Sequence, residues 1–458
     1  MFFRFGDPLS YSSVATAAVG SAKPALCFPY DYSNVSQIIR SCTSLRSLLQ
    51  AHARSLTRGS QFNDSLCTLL VNSYSSFGRS DLSLSVFNSS SQPSIRLWNT
   101  MLRAYTVTGE HAEAIRFYHS MLQQCVNPDK YTFTFAVKAC AGALDFENGS
   151  LIHDEIKRRN RQEDVYIGTA LVDMYSKLGM VETASQVFDS IPRWDIVTWN
   201  AMIAGFSLNN QPHRALDLLG KMFSVGLIPN LVTILNLFPA VCELCSALLC
   251  RSLHGFITRR FLLPAVANGL IDAYCKCGRS QAARQIFDQM EGSRDDISWA
   301  TMISGYAYDG HFIEALKLFD DTKRQNLRLN QVSVLSALSA AAETGDLQKG
   351  VEIHTYMVEE DMDLDILLTT MLATMYAKCG DVEKAKLLFD GMLQKDIVAW
   401  SAMISGFAQS GQPKEALCIF GEMLSKSITP NSVTLVSILP ACADLLDLIL
   451  GGVFTVLH

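Results

Sequence analysis

Residues Ile397–Asn431 read IVAWSAMISGFAQSGQPKEALCIFGEMLSKSITPN. Trp400, Met403, Ile404 and Phe407 fall at i, i+3, i+4 and i+7, the spacing of one apolar face of a helix. Gly411 suits the position just past that helix, and Pro413 suits the first turn of the next. Ala416, Ile419, Phe420 and Met423 repeat the spacing, and Pro430 closes the segment. The 35 residues therefore encode two short amphipathic helices joined by a tight turn. Neither helix can bury its apolar stripe alone.

The segment recurs. Trp98, Trp199, Trp299 and Trp400 stand 101, 100 and 101 residues apart, within RLWNTMLRAYTVTG, VTWNAMIAGFSLNN, ISWATMISGYAYDG and VAWSAMISGFAQSG. Between successive tryptophans lie two further helix pairs of different character. One ends its first helix on Tyr74, Tyr175, Tyr274 or Tyr376, followed by Gly78, Gly179, Gly278 or Gly380. The other carries His52, His153, His254 or His354 in its second helix. Four residue types returning with one long period mark a solenoid, so the expected fold is all-α, an α-solenoid of helix-turn-helix repeats.

A chain of 458 residues has room for about three globular domains, but the repeat favours one array. Hydrophobic residues make up 49% and charged residues 18%, enough apolar surface to cover many short helices. The thirteen cysteines are scattered, and several, such as Cys140, Cys242 and Cys442, occupy positions suited to small apolar side chains. That pattern reads as buried thiols in a reducing compartment. The formal charge of −6 argues against a sequence-blind nucleic-acid binder, while leaving room for basic groups along one face.

In chain order, residues 1–30 stand outside the repeat and are rich in Ser and Ala with Arg4, Lys23 and Asp7, as in an organelle transit peptide. Units are expected near 31–63, 64–94, 95–129, 130–164, 165–195, 196–230, 231–263, 264–295, 296–330, 331–365, 366–396 and 397–431, with an incomplete unit at 432–458. Leu231–Cys250 imitates a membrane span, but Pro239, Glu243 and its register favour two core helices. The terminal LILGGVFTVL stops where the second helix of a unit would continue, which reads as a truncated member.

These residues resemble the pentatricopeptide repeats of plants, in the type that cycles through long, short and standard variants. WNAMIAGF is similar to the standard variant, ALVDMYSKLG with VFDSIP to the short, and YTFTFAVKACAGALDFENGSLIH to the long. The resemblance covers about 31–458 and implies a right-handed superhelix that binds single-stranded organellar RNA, about one nucleotide per repeat. In that family the fifth and last residues of a repeat carry the base code, and the second packs against the base. Carried over, Asn99 with Asp129 and Asn268 with Asp295 resemble uridine readers; Thr169 with Asp195 and Thr370 with Asp396 resemble guanosine readers. Asn200 with Asn230 resembles a cytidine reader, and Ser401 with Asn431 an adenosine reader. Thr68 with Ser94 is ambiguous, and Ala300 with Asn330 departs from the pattern because Ala cannot bond a base edge. Val197, Ile297 and Val398 suit the sandwiching role, from which Arg96 departs. The implied target is 5′-?-U-x-G-C-x-U-?-x-G-A-3′, with x opposite the long repeats. Read without the resemblance, the same Asp and Asn side chains are helix caps.

His153-Asp154-Glu155 and Cys242-Glu243-Leu244-Cys245 imitate the H-x-E and C-x-x-C of a zinc deaminase, but they belong to different repeats about ninety residues apart. Cys275 and Cys277 lack partners for a zinc quartet, and the recurring His reads as a packing residue. The expectation is therefore a protein without cofactor, metal, membrane or catalysis of its own. It would recognise sites for cytidine-to-uridine editing in the mitochondrion, or alternatively the chloroplast, with any deaminase or editing-complex protein acting in trans. The alternatives are a tetratricopeptide-like scaffold for a peptide, or an inactive truncated product.

Overall fold

The computed structural model describes residues 32–57, 64–325, 327–392 and 394–444. The leader at 1–30 and the terminal stretch after Asp444 lie outside the described residues. Among the described residues every regular element is a helix, from Tyr32–Arg40 to Ser432–Asp444, and the helices alternate as hairpins at the expected spacing. Each runs between 9 and 14 residues. Helices that short are marginal in isolation, so their stability comes from burying a face against neighbours.

The hairpin 397–431 shows how the sequence sets this up. Asp396 caps helix Ile397–Gln409 by accepting the Ala399 N–H at 2.8 Å. The chain turns at Gly411, φ +72°, a left-handed conformation that costs an L side chain and that glycine adopts freely. Pro413 then opens helix Pro413–Ser425. Trp400, Met403, Ile404 and Phe407 are all fully buried, as their spacing requires.

Two compact units partition the chain, Met1–Ala143 and Leu144–His458. Within each, successive first helices pack against one another, and most also pack against their own second helix. First helices thus form a continuous layer, and second helices flank it. In the larger unit the layer runs from Val165–Lys177 to Ser432–Asp444. Gly205, Gly305 and Gly406 sit inside helices of that layer, where glycine is otherwise unfavourable. A Cβ on them would fall 2.2 Å from Ser176 Oγ, 2.4 Å from Cys275 Sγ and 2.8 Å from Ala377 Cβ, so their absence of side chain sets the close approach of adjacent helices.

The aromatic landmarks join neighbouring hairpins. Phe188 meets Trp199 edge-on with centroids 5.5 Å apart, and the Phe287–Trp299 and Phe389–Trp400 pairs repeat this at 4.9 Å. In the smaller unit Phe87 meets Trp98 at 4.7 Å. The recurring His and Tyr, read separately in the sequence, turn out to be partners. Nδ1 of His52, His153, His254 and His354 lies 2.8, 2.8, 3.1 and 2.8 Å from the hydroxyls of Tyr74, Tyr175, Tyr274 and Tyr376. Each bond ties a second helix to the first helix of the following hairpin.

Leu231–Cys250 divides into helices Leu231–Glu243 and Ala247–Arg259, separated by Cys245 at φ +46°. Among the described residues no helix is long and apolar enough to cross a membrane.

The histidine latch makes stability depend on pH. Burial holds the His153 imidazole down at about 4, with Lys157 adding to the effect and Asp154 opposing it. An unfolded imidazole protonates near 6.5, so on acidification the unfolded chain takes up the proton first. Stability from this group is therefore complete above that value and drains away as pH falls from there towards 4. Between pH 7 and pH 5 the loss should be roughly 2 kcal/mol. Urea melts of the wild type and His153→Gln across that range are expected to converge as pH falls. A constant gap between them would refute the latch.

Candidate nucleic-acid interface

The residue before most first helices is a side-chain cap; Leu262, before Leu263–Lys276, is not. Ser94, Asp195, Asn230, Asp295, Asn330 and Asp396 each accept an N–H from the first turn. Asp129 and Asn431 do the same for Thr132 and Thr434 at 2.9 and 2.8 Å. The capping explanation of these side chains is thus correct, yet it is half of what they do, because several caps also reach the fifth residue of the preceding hairpin.

Asn99 Nδ2 donates to Asp129 Oδ1 at 2.9 Å, and Asn200 Nδ2 donates to Asn230 Oδ1 at 3.2 Å. The Asn268–Asp295 pair is longer, at 3.5 Å. Ser401 Oγ lies 3.4 Å from Asn431 Oδ1 and 2.6 Å from Thr434 Oγ1. Thr169 and Asp195 are joined indirectly: Thr198 lies 2.8 Å from each. The other pairs are not bonded to one another. Thr370 turns its hydroxyl to the Ile366 carbonyl at 2.6 Å, and Thr68 turns to that of Asp64 at 2.8 Å. Ser94 donates instead to the Asp64 carboxylate at 2.6 Å. Ala300 is buried with no polar group to offer, and Asn330 accepts from Ser333 alone, through its N–H at 3.0 Å and hydroxyl at 2.8 Å.

A third participant escaped the sequence reading. Three residues after the cap stand Thr132, Thr198, Thr233, Ser298, Ser333 and Thr434, all with no solvent exposure. Thr132 Oγ1 donates to Asn99 Oδ1 at 2.7 Å, and Thr233 Oγ1 donates to Asn200 Oδ1 at 2.6 Å. The same hydroxyls lie 3.0 Å from Asp129 and Asn230. The signal was available as an Asp or Asn followed three residues later by Ser or Thr, a variant of the capping box. Ser298 bonds Asp295 at 2.6 Å but leaves Asn268 Oδ1 buried without a partner. The hydroxyl bond from Ser298 holds the Asp295 carboxyl below the usual range, against the opposing effect of burial.

Beside these polar residues each unit leaves apolar side chains in water. Val197, Ile297 and Val398 are 57%, 59% and 57% exposed, and Tyr131, Tyr166, Val232, Val332, Leu367 and Val433 share their register and their exposure. Arg96, the exception foreseen, is exposed too. Thr370, Asp396 and Val398, though not bonded to each other, line one open cleft of about 1000 Å³ together with Leu367. Further along the same helix faces, at helical spacing, stand Lys177, Lys276 and Lys378. They pair with Asp173 at 2.9 Å, Asp272 at 2.8 Å and Glu343 at 2.7 Å.

The zinc-like motifs do not converge. His153 is bonded to Tyr175, and Glu155 pairs with Arg159 at 2.6 Å. Cys242 is buried and Cys245 exposed. Among the described residues no three His, Cys, Asp or Glu side chains are grouped to hold a metal ion.

Models of the PPR repeat family match residues 93–142, 194–243 and 395–444, and a PPR repeat model matches 169–196, 266–294, 297–327 and 369–397. The chain is 42% identical to the pentatricopeptide repeat-containing protein At2g39620 of Arabidopsis thaliana over 91% of its own length and 49% of that protein's, so it spans about half of that relative. It is 31% identical to the mitochondrial pentatricopeptide repeat-containing protein At1g06140 of the same plant, over 89% of the chain and 74% of the relative. The fold matches the crystal structure of the pentatricopeptide repeat protein PPR10 in complex with an 18-nt psaJ RNA element, with a TM-score of 0.69 at 17% identity, over 90% of this chain and 62% of that one. Together with the triads and the tryptophan-spaced hairpins, these matches place the chain in the pentatricopeptide repeat family.

Proposed function

We propose that the array 31–431 binds single-stranded RNA in a sequence-specific manner, one base per triad, in organelle RNA processing. The observation that carries this reading is the set of hydrogen-bonding atoms that the Asn99 and Asn200 triads leave unused. In Asn99–Asp129–Thr132, Asn99 Oδ1 receives Thr132 and one Nδ2 hydrogen goes to Asp129 Oδ1. A second Nδ2 hydrogen and the carboxylate Oδ2 remain, one donor beside one acceptor. The uracil edge offers the complement, a carbonyl oxygen beside an N–H. In Asn200–Asn230–Thr233 the same bonds consume Asn230 Oδ1, leaving its amide hydrogens. Two donors complement the two acceptors of cytosine, N3 and O2. The exposed Val197, Ile297, Val398 and their register mates then supply the apolar plates between which each base stacks.

The finer role is recognition of cytidines for conversion to uridine, with a deaminase supplied in trans. The mitochondrion is the favoured compartment, in keeping with the mitochondrial relative, and the chloroplast is the alternative. PPR10, whose fold this chain shares, is crystallised with RNA.

Three measurements test the reading. Purified protein should bind a synthetic RNA carrying U, G, C, U, G and A in the order of the Asn99, Thr169, Asn200, Asn268, Thr370 and Ser401 repeats; equal affinity for a scrambled oligonucleotide would overturn the proposal. Asn230→Asp exchanges the donor pair for a donor and an acceptor. It should move preference at that one position from C to U by about 1–3 kcal/mol, or roughly five- to 150-fold. Thr233→Val removes the hydroxyl that orients Asn200 without changing shape. It should cost about 1–3 kcal/mol of stability and flatten discrimination at the same base; unchanged selectivity would show that the triad does not position the reader.

A further inference from the structure

Four equivalent positions in the array trade volume in pairs. Four residues before the recurring His stand Leu48, Gly149, Cys250 and Gly350; one before the recurring Tyr stand Ser73, Met174, Ala273 and Met375. A large residue on one side accompanies a small one on the other. At Gly350 the reason is visible, since a Cβ there would fall 2.1 Å from Met375 Sδ. The hairpin at 231–263 reverses the arrangement. Ala273 replaces the methionine, and the position that is glycine in its two neighbours holds a fully buried cysteine, Cys250.

The second departure lies one helical turn on. Three residues after the recurring Tyr, the equivalents are Phe77, Leu178, Cys277 and Cys379. Cys250 Sγ and Cys277 Sγ are 3.4 Å apart. At the next equivalent junction the position of Cys250 is held by Gly350, which has no side chain to offer Cys379, and Cys379 Sγ contacts the Ala341 carbonyl at 3.6 Å. Cys250 belongs to helix Ala247–Arg259, and Cys277 caps the end of Leu263–Lys276. The two thiols therefore face each other across the junction that His254 and Tyr274 also span, where the three equivalent junctions have the His–Tyr bond but no pair of cysteines.

We propose that Cys250 and Cys277 form a redox-modification site, a dithiol that small disulfides of the glutathione type oxidise to an intramolecular disulfide. Cys277 is partly exposed and Cys250 is buried, which sets the order of events. The Cys277 thiolate attacks a sulfur of oxidised glutathione, forming a mixed disulfide and releasing one reduced glutathione. The Cys250 thiolate then attacks Cys277 Sγ and expels the second. Two protein thiols are oxidised, one glutathione disulfide is reduced to two thiols, and no other reactant is needed. Closure asks the sulfurs to approach from 3.4 Å to a bond of about 2.05 Å, an adjustment between two neighbouring helices. Burial pushes both thiols above the usual cysteine range, so little of either is thiolate and exchange is slow. The disulfide would close a loop of 27 residues, and that cross-link constrains the unfolded chain. This site does not depend on what the array binds.

The test uses the full chain, reduced and then incubated for hours with excess oxidised glutathione, alkylated, digested and weighed. The expected product is a Cys250–Cys277 linked peptide pair, two hydrogens lighter than its reduced parts. It should be accompanied by a rise in the thermal midpoint that dithiothreitol reverses. Cys277→Ser and Cys250→Ser should each abolish link and rise, while Cys245→Ser keeps both. Arrest at a glutathione adduct on Cys277, or a dominant link through Cys242 or Cys245, would overturn the assignment. So would a midpoint that does not move once the link has formed.

Discussion

The hydrogen bond from a first-turn N–H to the side chain just before the helix is the interaction on which this architecture rests. Most first helices begin on such a cap, Leu263–Lys276 after Leu262 being an exception, and an unsatisfied helix start in a buried layer would cost about as much as a lost hydrogen bond. Because the cap sits between one hairpin and the next, it is also within reach of the preceding first helix. Asp129 and Asn230 use one oxygen for the cap and for the neighbour's Asn99 or Asn200 at once. On the proposed reading, folding and selectivity share those atoms, and the groups offered to a base are oriented before it arrives and lose little freedom on binding.

The electrostatics point the same way. A chain of net charge −6 gains little from counterion release, which dominates the affinity of strongly basic binders. The lysines on the candidate face are held by carboxylates, Lys177 by Asp173 and Lys276 by Asp272, so a phosphate must displace an existing partner. Exposed pairs of this sort are worth only about 0–1 kcal/mol, and exchanging one for another yields little. On the proposed reading, stacking on the exposed apolar side chains and edge bonding to the triads contribute more. A binder whose affinity lies in base contacts rather than phosphate contacts is selective, because every wrong base loses a share of a total that charge does not replenish.

Much of this was legible in the sequence, and what was missed has a common physical cause. Helix periodicity, turn glycines and the tryptophan spacing carried the hairpins and their order, because those signals are local. The cap and fifth residues were also found, through the family's code, and the structure bonds Asn99 to Asp129 and Asn200 to Asn230. The partnership of His153 with Tyr175 was not, although both recur, since a bond across 22 residues of sequence has no local signature. Nor were the buried hydroxyls of Thr132 and Thr233, whose capping-box pattern is short enough to pass for chance. Thr370 and Asp396 show the reverse failure: the pair is written in the sequence, yet the side chains do not meet.

That failure has a cause. Thr370 and Asp396 are followed, at the third position of the next helix, by Ala399 rather than a hydroxyl. Thr169 and Asp195, the same two residue types, have Thr198 and are bridged by it. Without the bridge, Thr370 satisfies itself on its own backbone, as hydroxyls in helices do. The third-position residue therefore decides whether a polar pair is assembled before a base arrives or must be assembled by it. Two repeats with one nominal code then differ in the freedom they surrender on binding, and the bridged one should discriminate more sharply. The proposed selectivity then rests on three residues per step, with the hidden one setting how much the visible two can express.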